Sequence, residues 1–223
     1  MPDTPMTPTP PTRIRLTFAT SGALAYLSVL DMGRLWERCL RRARVPMRYT
    51  QGFNPHPRLQ MGAPLPVGCS SQGEWLDCWL DQPWTPQQLL EALAGQTPAG
   101  LTLLDAVQVP ENAPALEGLV VAAEYRLWVQ GTPLNEVQAA AERLLAAESL
   151  PRERRGKAYD LRPLVEALTV SAPAGDSDPI WTAELYLKVT VRPGATGRPD
   201  EVLDALGLGN APRRCVRLRM LTE

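Results

Sequence analysis

The chain changes hydrophobic period several times, and each change marks an element. Arg13 to Phe18 (RIRLTF) repeats every second residue, with Ile14, Leu16 and Phe18 on one face and Arg13, Arg15 and Thr17 on the other. That alternation predicts a half-buried strand. From Ser28 the period lengthens to that of a helix, placing Leu35, Trp36, Cys39, Leu40 and Ala43 on one side and Arg34, Arg38, Arg41 and Arg42 on the other. Ser28 or Asp31 can cap this helix, and Pro46 stops it after Arg44. Met47 to Gln51 predicts a short strand that Arg58 to Met61 resumes. Glu74 to Leu80 (EWLDCWL) alternates again, with Leu76, Cys78 and Leu80 against Trp75, Asp77 and Trp79. Thr85 and Pro86 supply the cap and first position of a helix over Gln87 to Leu93, and Leu101 to Val107 is a further strand.

After a proline-bearing, weakly patterned stretch, the order repeats. Tyr125 to Val129 reads as a strand and Leu134 to Ala147 as an amphipathic helix. PRERRGKAYD reads as a basic turn leading into a strand over Leu161 to Val170. Ala183 to Val191 is a strand, Pro199 to Leu206 a short helix and Cys215 to Leu221 a closing strand. Strand, helix, strand, strand, helix, strand, taken twice, predicts an α+β chain of two tandem ferredoxin-like (βαββαβ) domains. The expected boundaries are a disordered Pro/Thr-rich arm at 1–12, a first domain at 13–108, a linker at 109–119 and a second domain at 120–223.

Charge alters this picture only locally. The 223 residues carry 23 basic and 24 acidic side chains, yet Leu27 to Gly68 holds seven arginines and the chain's one histidine against Asp31 and Glu37. Four scattered cysteines without CxxC spacing point to reduced, packed thiols in the cytoplasm, and one histidine cannot complete a zinc site. The expectation is therefore no metal and no cofactor. No apolar run reaches the length of a membrane span, and the opening residues lack the pattern of a signal peptide.

Three groups of residues could carry function. Arg34, Arg38, Arg41 and Arg42 on the helix, with Arg48 and Arg58 beside it, can fork onto phosphate oxygens, so this surface is the candidate for RNA or another anion. Arg13, Arg15, Trp75 and Trp79 share the sheet face away from the helices, where bases could stack or the two halves could pack. Arg217 and Arg219 are expected opposite Val216, Leu218 and Met220, with Arg213, Arg214 and the PRERRGK turn adding further basic elements. The enzyme alternative uses His56, braced between Pro55 and Pro57, as a general base oriented by Asp31 or Asp77. No nucleophile elbow, P-loop or dinucleotide fingerprint is present.

The stretch from Leu27 to Gly68 resembles the radical SAM-linked protein family, a family of unknown function. Its members stand alone or are joined to the C-terminus of cobalamin-binding radical SAM proteins. The resemblance rests on Leu27, Ser28, Leu30 and Asp31, then Arg34, Arg38, Arg41 and Arg42, then the loop Gln51, Gly52, Phe53, Asn54, Pro55, His56 and Pro57. Glu74, Leu76, Asp77 and the KAYDLRPLV segment around Asp160 and Arg162 also fit. Val29 stands where the family's pattern has a histidine. The resemblance implies an accessory or substrate-presenting module beside a radical SAM protein; the chain has no CxxxCxxC to bind the usual cluster itself. An RNA ligand follows from the arginines, and a protein–protein adaptor is the third reading.

Overall fold

A computed structural model describes residues 12–154, 156–174 and 178–222. The chain is α+β. Strand β1 (Thr12–Thr20) leads through a single 3-10 turn into helix α1 (Val29–Arg42), followed by β2 (Leu59–Met61), β3 (Cys69–Leu80), α2 (Pro86–Leu93) and β4 (Leu101–Val109). Then come a short helix α3 (Leu116–Leu119), β5 (Val120–Val129), α4 (Leu134–Ala146), the hairpin β6 (Pro151–Arg154) and β7 (Lys157–Asp160), β8 (Val165–Ser171) and β9 (Ala183–Arg192). The closing elements are β10 (Ala195–Thr196), α5 (Pro199–Ala205) and β11 (Arg213–Thr222). Thr12 belongs to β1 rather than to the arm, whose remaining expected residues lie outside those described.

Local chemistry accounts for the helix ends. Thr85 Oγ1 accepts from the Gln88 backbone N–H while the Gln88 side chain accepts from the Thr85 N–H, the reciprocal cap that starts α2. Helix α1 ends with the Val45 N–H donating to the Leu40 carbonyl and the Arg44 N–H to that of Arg41. This closure needs a left-handed residue, and Arg44 supplies it at φ 54°. Val45 then turns inward and Pro46 prevents continuation.

In the N-terminal half the strand order is β4-β1-β3-β2, antiparallel throughout. In the C-terminal half it is β11-β5-β9-β8, again antiparallel. The two meet edge to edge. Cys215, Val216 and Arg217 of β11 pair in parallel with Cys69, Ser70 and Ser71, on the edge of β3 that β2 uses further along. One nine-stranded mixed sheet results.

Two cores lie against this sheet. Ile14, Leu16, Phe18, Leu76, Cys78 and Leu80 meet Leu35, Trp36, Cys39 and Leu40 of α1 and Leu89 and Leu93 of α2. Phe18 packs edge-on against Trp36 at 4.9 Å between ring centroids. The second core joins β5, β9 and β8 to α4 and α5, and recruits Ala63 and Cys69 from the N-terminal half.

Three expectations need correction. Met47 to Gln51 forms no strand, only isolated bridges from Met47 to Leu80 and from Tyr49 to Pro57. Cys69 and Cys215 form a disulfide, leaving Cys39 and Cys78 as buried thiols. The expectation of reduced thiols failed because residues 146 apart become neighbours only through the parallel β3–β11 pairing. The basic turn at PRERRGKAYD is a two-stranded hairpin, with Pro151 opposite Asp160 and Arg154 opposite Lys157. No described helix is long and apolar enough to cross a membrane.

Candidate functional site

Helix α1 presents its arginines because the apolar stripe faces the sheet. Ser28 caps it, donating its hydroxyl to Asp31 at 2.7 Å and accepting the Asp31 N–H at 3.2 Å. The Ser28 hydroxyl, with Arg34 and Arg38 nearby, holds the Asp31 carboxyl below the usual aspartate range. Arg34, Arg38 and Arg41 form an exposed ridge one turn apart. Arg34 pairs with Asp31 at 3.3 Å and remains 69% exposed. Among the described residues, the Arg38 and Arg41 side chains make no hydrogen bond or salt bridge. Arg42 is turned aside, donating to the Gln96 carbonyl and to Cys39 Sγ.

Arg48 and Arg58 form a second group past the C-terminal end of α1. Their backbones are hydrogen-bonded to each other and to Trp79. Arg48 reaches Glu111 at 3.3 Å, and Arg58 stacks on Trp79 at 4.4 Å. Between them the loop 51–57 is pinched at its base by the Thr50 N–H to the His56 carbonyl and by the His56 N–H to Thr50 Oγ1. Gly52 has a φ of 137°, in the region that favours glycine. Phe53 stands wholly in water.

His56 and Asp31 are not brought together. Asp31 sits in the first turn of α1, engaged with Ser28 and Arg34, whereas the His56 loop leaves the sheet at Trp79 and Leu80, at the far end of that helix. Asp77, the other possible partner, is fully buried and accepts from Arg13 at 2.9 Å and Arg15 at 2.8 Å.

That clamp changes the reading of the sheet face. Arg13, Arg15, Trp75 and Trp79 do share it, but segment 111–114 lies across it. Arg13 donates to the carbonyls of Ala113 at 2.5 Å and Pro114 at 3.0 Å, and both Arg13 and Trp79 are buried. The Trp79 ring is stacked between guanidiniums, that of Arg13 from β1 and that of Arg58 just before β2.

Arg217 is the residue the sequence placed least well. A bulge at Leu218 reverses the alternation of β11, so Arg217 faces inward with Met220. Fully buried, it pairs with Glu74 and donates to the carbonyls of Ala63 at 2.8 Å and Pro64 at 3.2 Å. Burial by itself would lower the Arg217 pKa, and Glu74 more than reverses that, keeping the charge. Arg219 stays exposed and holds Glu124 at 2.7 Å. Asp160 and Arg162 also prove architectural. Asp160 accepts the backbone N–H groups of Leu150 and Arg162, and the Arg162 guanidinium donates to the Leu145 and Val165 carbonyls.

Residues 13–199 match the family described as "Uncharacterized protein conserved in bacteria (DUF2344)". The chain belongs to this family. No curated protein matches it in sequence. Among solved structures, an unknown protein from Galdieria sulphuraria is 12% identical and covers 94% of this chain and 100% of its own, with a TM-score of 0.26. A DypB variant from Rhodococcus jostii in complex with heme is 10% identical and covers 89% and 84%, with a TM-score of 0.22.

Proposed function

We propose that the chain is a non-catalytic module that binds an anionic ligand, RNA foremost, and presents it to a radical SAM enzyme in the cytoplasm. Two ferredoxin-like units, 13–108 and 120–223, would carry it. Their support is the same strand order in each half. The observation that carries the binding reading is the α1 ridge, where the Arg38 and Arg41 side chains are exposed and make no salt bridge among the described residues. Guanidinium groups at that spacing engage successive phosphates, and the bare ring of Phe53 supplies a surface for an unpaired base.

The test is fluorescence anisotropy with labelled single-stranded RNA across a salt series. Arg38→Glu with Arg41→Glu abolishes binding and leaves the circular dichroism spectrum unchanged, and Phe53→Ala weakens it by about 1–3 kcal/mol. Equal affinity in the wild type and the double reversal would rule out the ridge. The adaptor reading has Leu30 in its favour, an apolar side chain 74% exposed at the head of the same helix. It predicts a protein partner that stays bound after nuclease treatment.

A further inference from the structure

A cleft of about 840 Å³ lies where the two halves of the chain face each other. Its N-terminal wall is the segment Pro64 to Val67, with Val29 of α1 above it. This wall is apolar and largely uncovered, Val67 being 64% exposed. It is also held in place, since the carbonyls of Ala63 and Pro64 accept from the buried Arg217 of the other half.

The opposite wall carries the cations Arg154, Lys157, Arg192 and Arg198, and Glu117 is the one acid among the described lining residues. Arg154 of the β6–β7 hairpin lies over the Tyr159 ring at 5.0 Å, fixed by Glu201 at 3.6 Å and by the Thr196 carbonyl at 3.2 Å. The pair presents a flat platform, preorganised by its ion pair. Burial, with Glu201 adding to it, pushes the Tyr159 phenol up to about 12. Lys157 at the hairpin is exposed and holds no hydrogen bond or salt bridge among the described residues. Arg198 lines the cleft 40% exposed, sharing its charge with Asp200 at 3.2 Å.

We propose that this cleft binds a nucleoside phosphate, its base on the flat surfaces of the Pro64–Val67 wall and the Arg154–Tyr159 stack and its phosphate on Lys157 and Arg198. A bare anion would leave the apolar wall wet, and a purely apolar ligand would strip water from the cations of the opposite wall without replacing it. A flat ring carrying a phosphate satisfies both walls, and the volume falls within the range of small-molecule sites. The site is separate from the α1 ridge and stands whether or not that ridge binds RNA. The nucleoside phosphate is either a free nucleotide or the unstacked end of an RNA.

Isothermal titration of the full chain with adenosine and uridine 5′-monophosphate tests this. At least one binds with a Kd between about 10 μM and 1 mM, and its nucleoside and inorganic phosphate each bind at least about tenfold more weakly. Lys157→Glu and Val67→Asp, both at exposed positions, each weaken the nucleotide by about tenfold or more, while Arg38→Glu with Arg41→Glu leaves it unchanged. An RNA octamer that displaces the nucleotide from the ridge-reversed chain assigns the site to RNA ends; failure to displace it assigns the site to free nucleotide. Absence of binding by both nucleotides at about 10 mM overturns the proposal, as does full affinity in both cleft variants.

Discussion

The arginines of α1 and those of the sheet use one side chain for opposite ends. Arg38 and Arg41 are exposed and make no salt bridge among the described residues, whereas Arg13 and Arg217 are buried, each against a carboxylate and at least two backbone carbonyls. The difference is the neighbour. On α1 the residues three and four positions from Arg38 are Arg34, Leu35, Arg41 and Arg42, and Glu37, four before Arg41, makes no salt bridge with it. On the sheet, Asp77 lies directly across from Arg15 and one step from Arg13, and Glu74 is within reach of Arg217 through the β3–β11 joint. A guanidinium with a matching carboxylate becomes architecture; one without remains available to a ligand.

The largest effect should come from breaking the buried side of that contrast. Arg217→Met leaves Glu74 as an uncompensated buried charge and should remove about 3–5 kcal/mol of stability in chemical denaturation. Adding Glu74→Gln should recover much of it. A loss below about 1 kcal/mol would mean the pair contributes little. Next comes the disulfide beside it. Cys69→Ser with Cys215→Ser should cost about 2–4 kcal/mol. Thiol titration of denatured, unreduced protein should count two thiols, Cys39 and Cys78. In the folded protein Cys78 should resist alkylation at mildly alkaline pH, because burial pushes its thiol up to about 12.

Smaller effects are expected along α1. Arg44→Gly removes the left-handed strain at the helix end and should stabilise by about 0.5–1 kcal/mol, read as a raised denaturation midpoint. Arg38→Glu with Arg41→Glu should change stability by no more than about 0.5 kcal/mol. A large destabilisation there would make the ridge structural and erase the contrast.

Most helices and strands were legible in the sequence, because each is amphipathic with a clear period. Phe18, Leu76 and Trp36 read as core from spacing alone, and Thr85–Pro86 announced α2. What escaped depended on strand order. The disulfide needed β3 beside β11. The inward turn of Arg217 needed the bulge at Leu218, which no periodicity reveals when every second residue of the segment is arginine. The sheet face read as a place for bases or for the other half of the chain because nothing in VPENAPALEG announces that its carbonyls would be fixed by Arg13 and that Leu116 would be fully buried. In the candidate site, the arginine ridge was visible from sequence, but the cleft was not: its walls come from segments about ninety residues apart, Pro64–Val67 and Arg154–Tyr159.

The parallel seam between Cys69–Ser71 and Cys215–Arg217 also has a consequence for how the chain reaches this state. Contacts so distant along the chain form late, after local units have collapsed. Until β11 docks, that stretch of β3 is an uncovered strand edge with free backbone donors and acceptors. Glu74 would then lack its cation and the cleft its fixed wall. A ligand that needs both walls would recognise only chains whose seam has closed, so binding would report the completed fold.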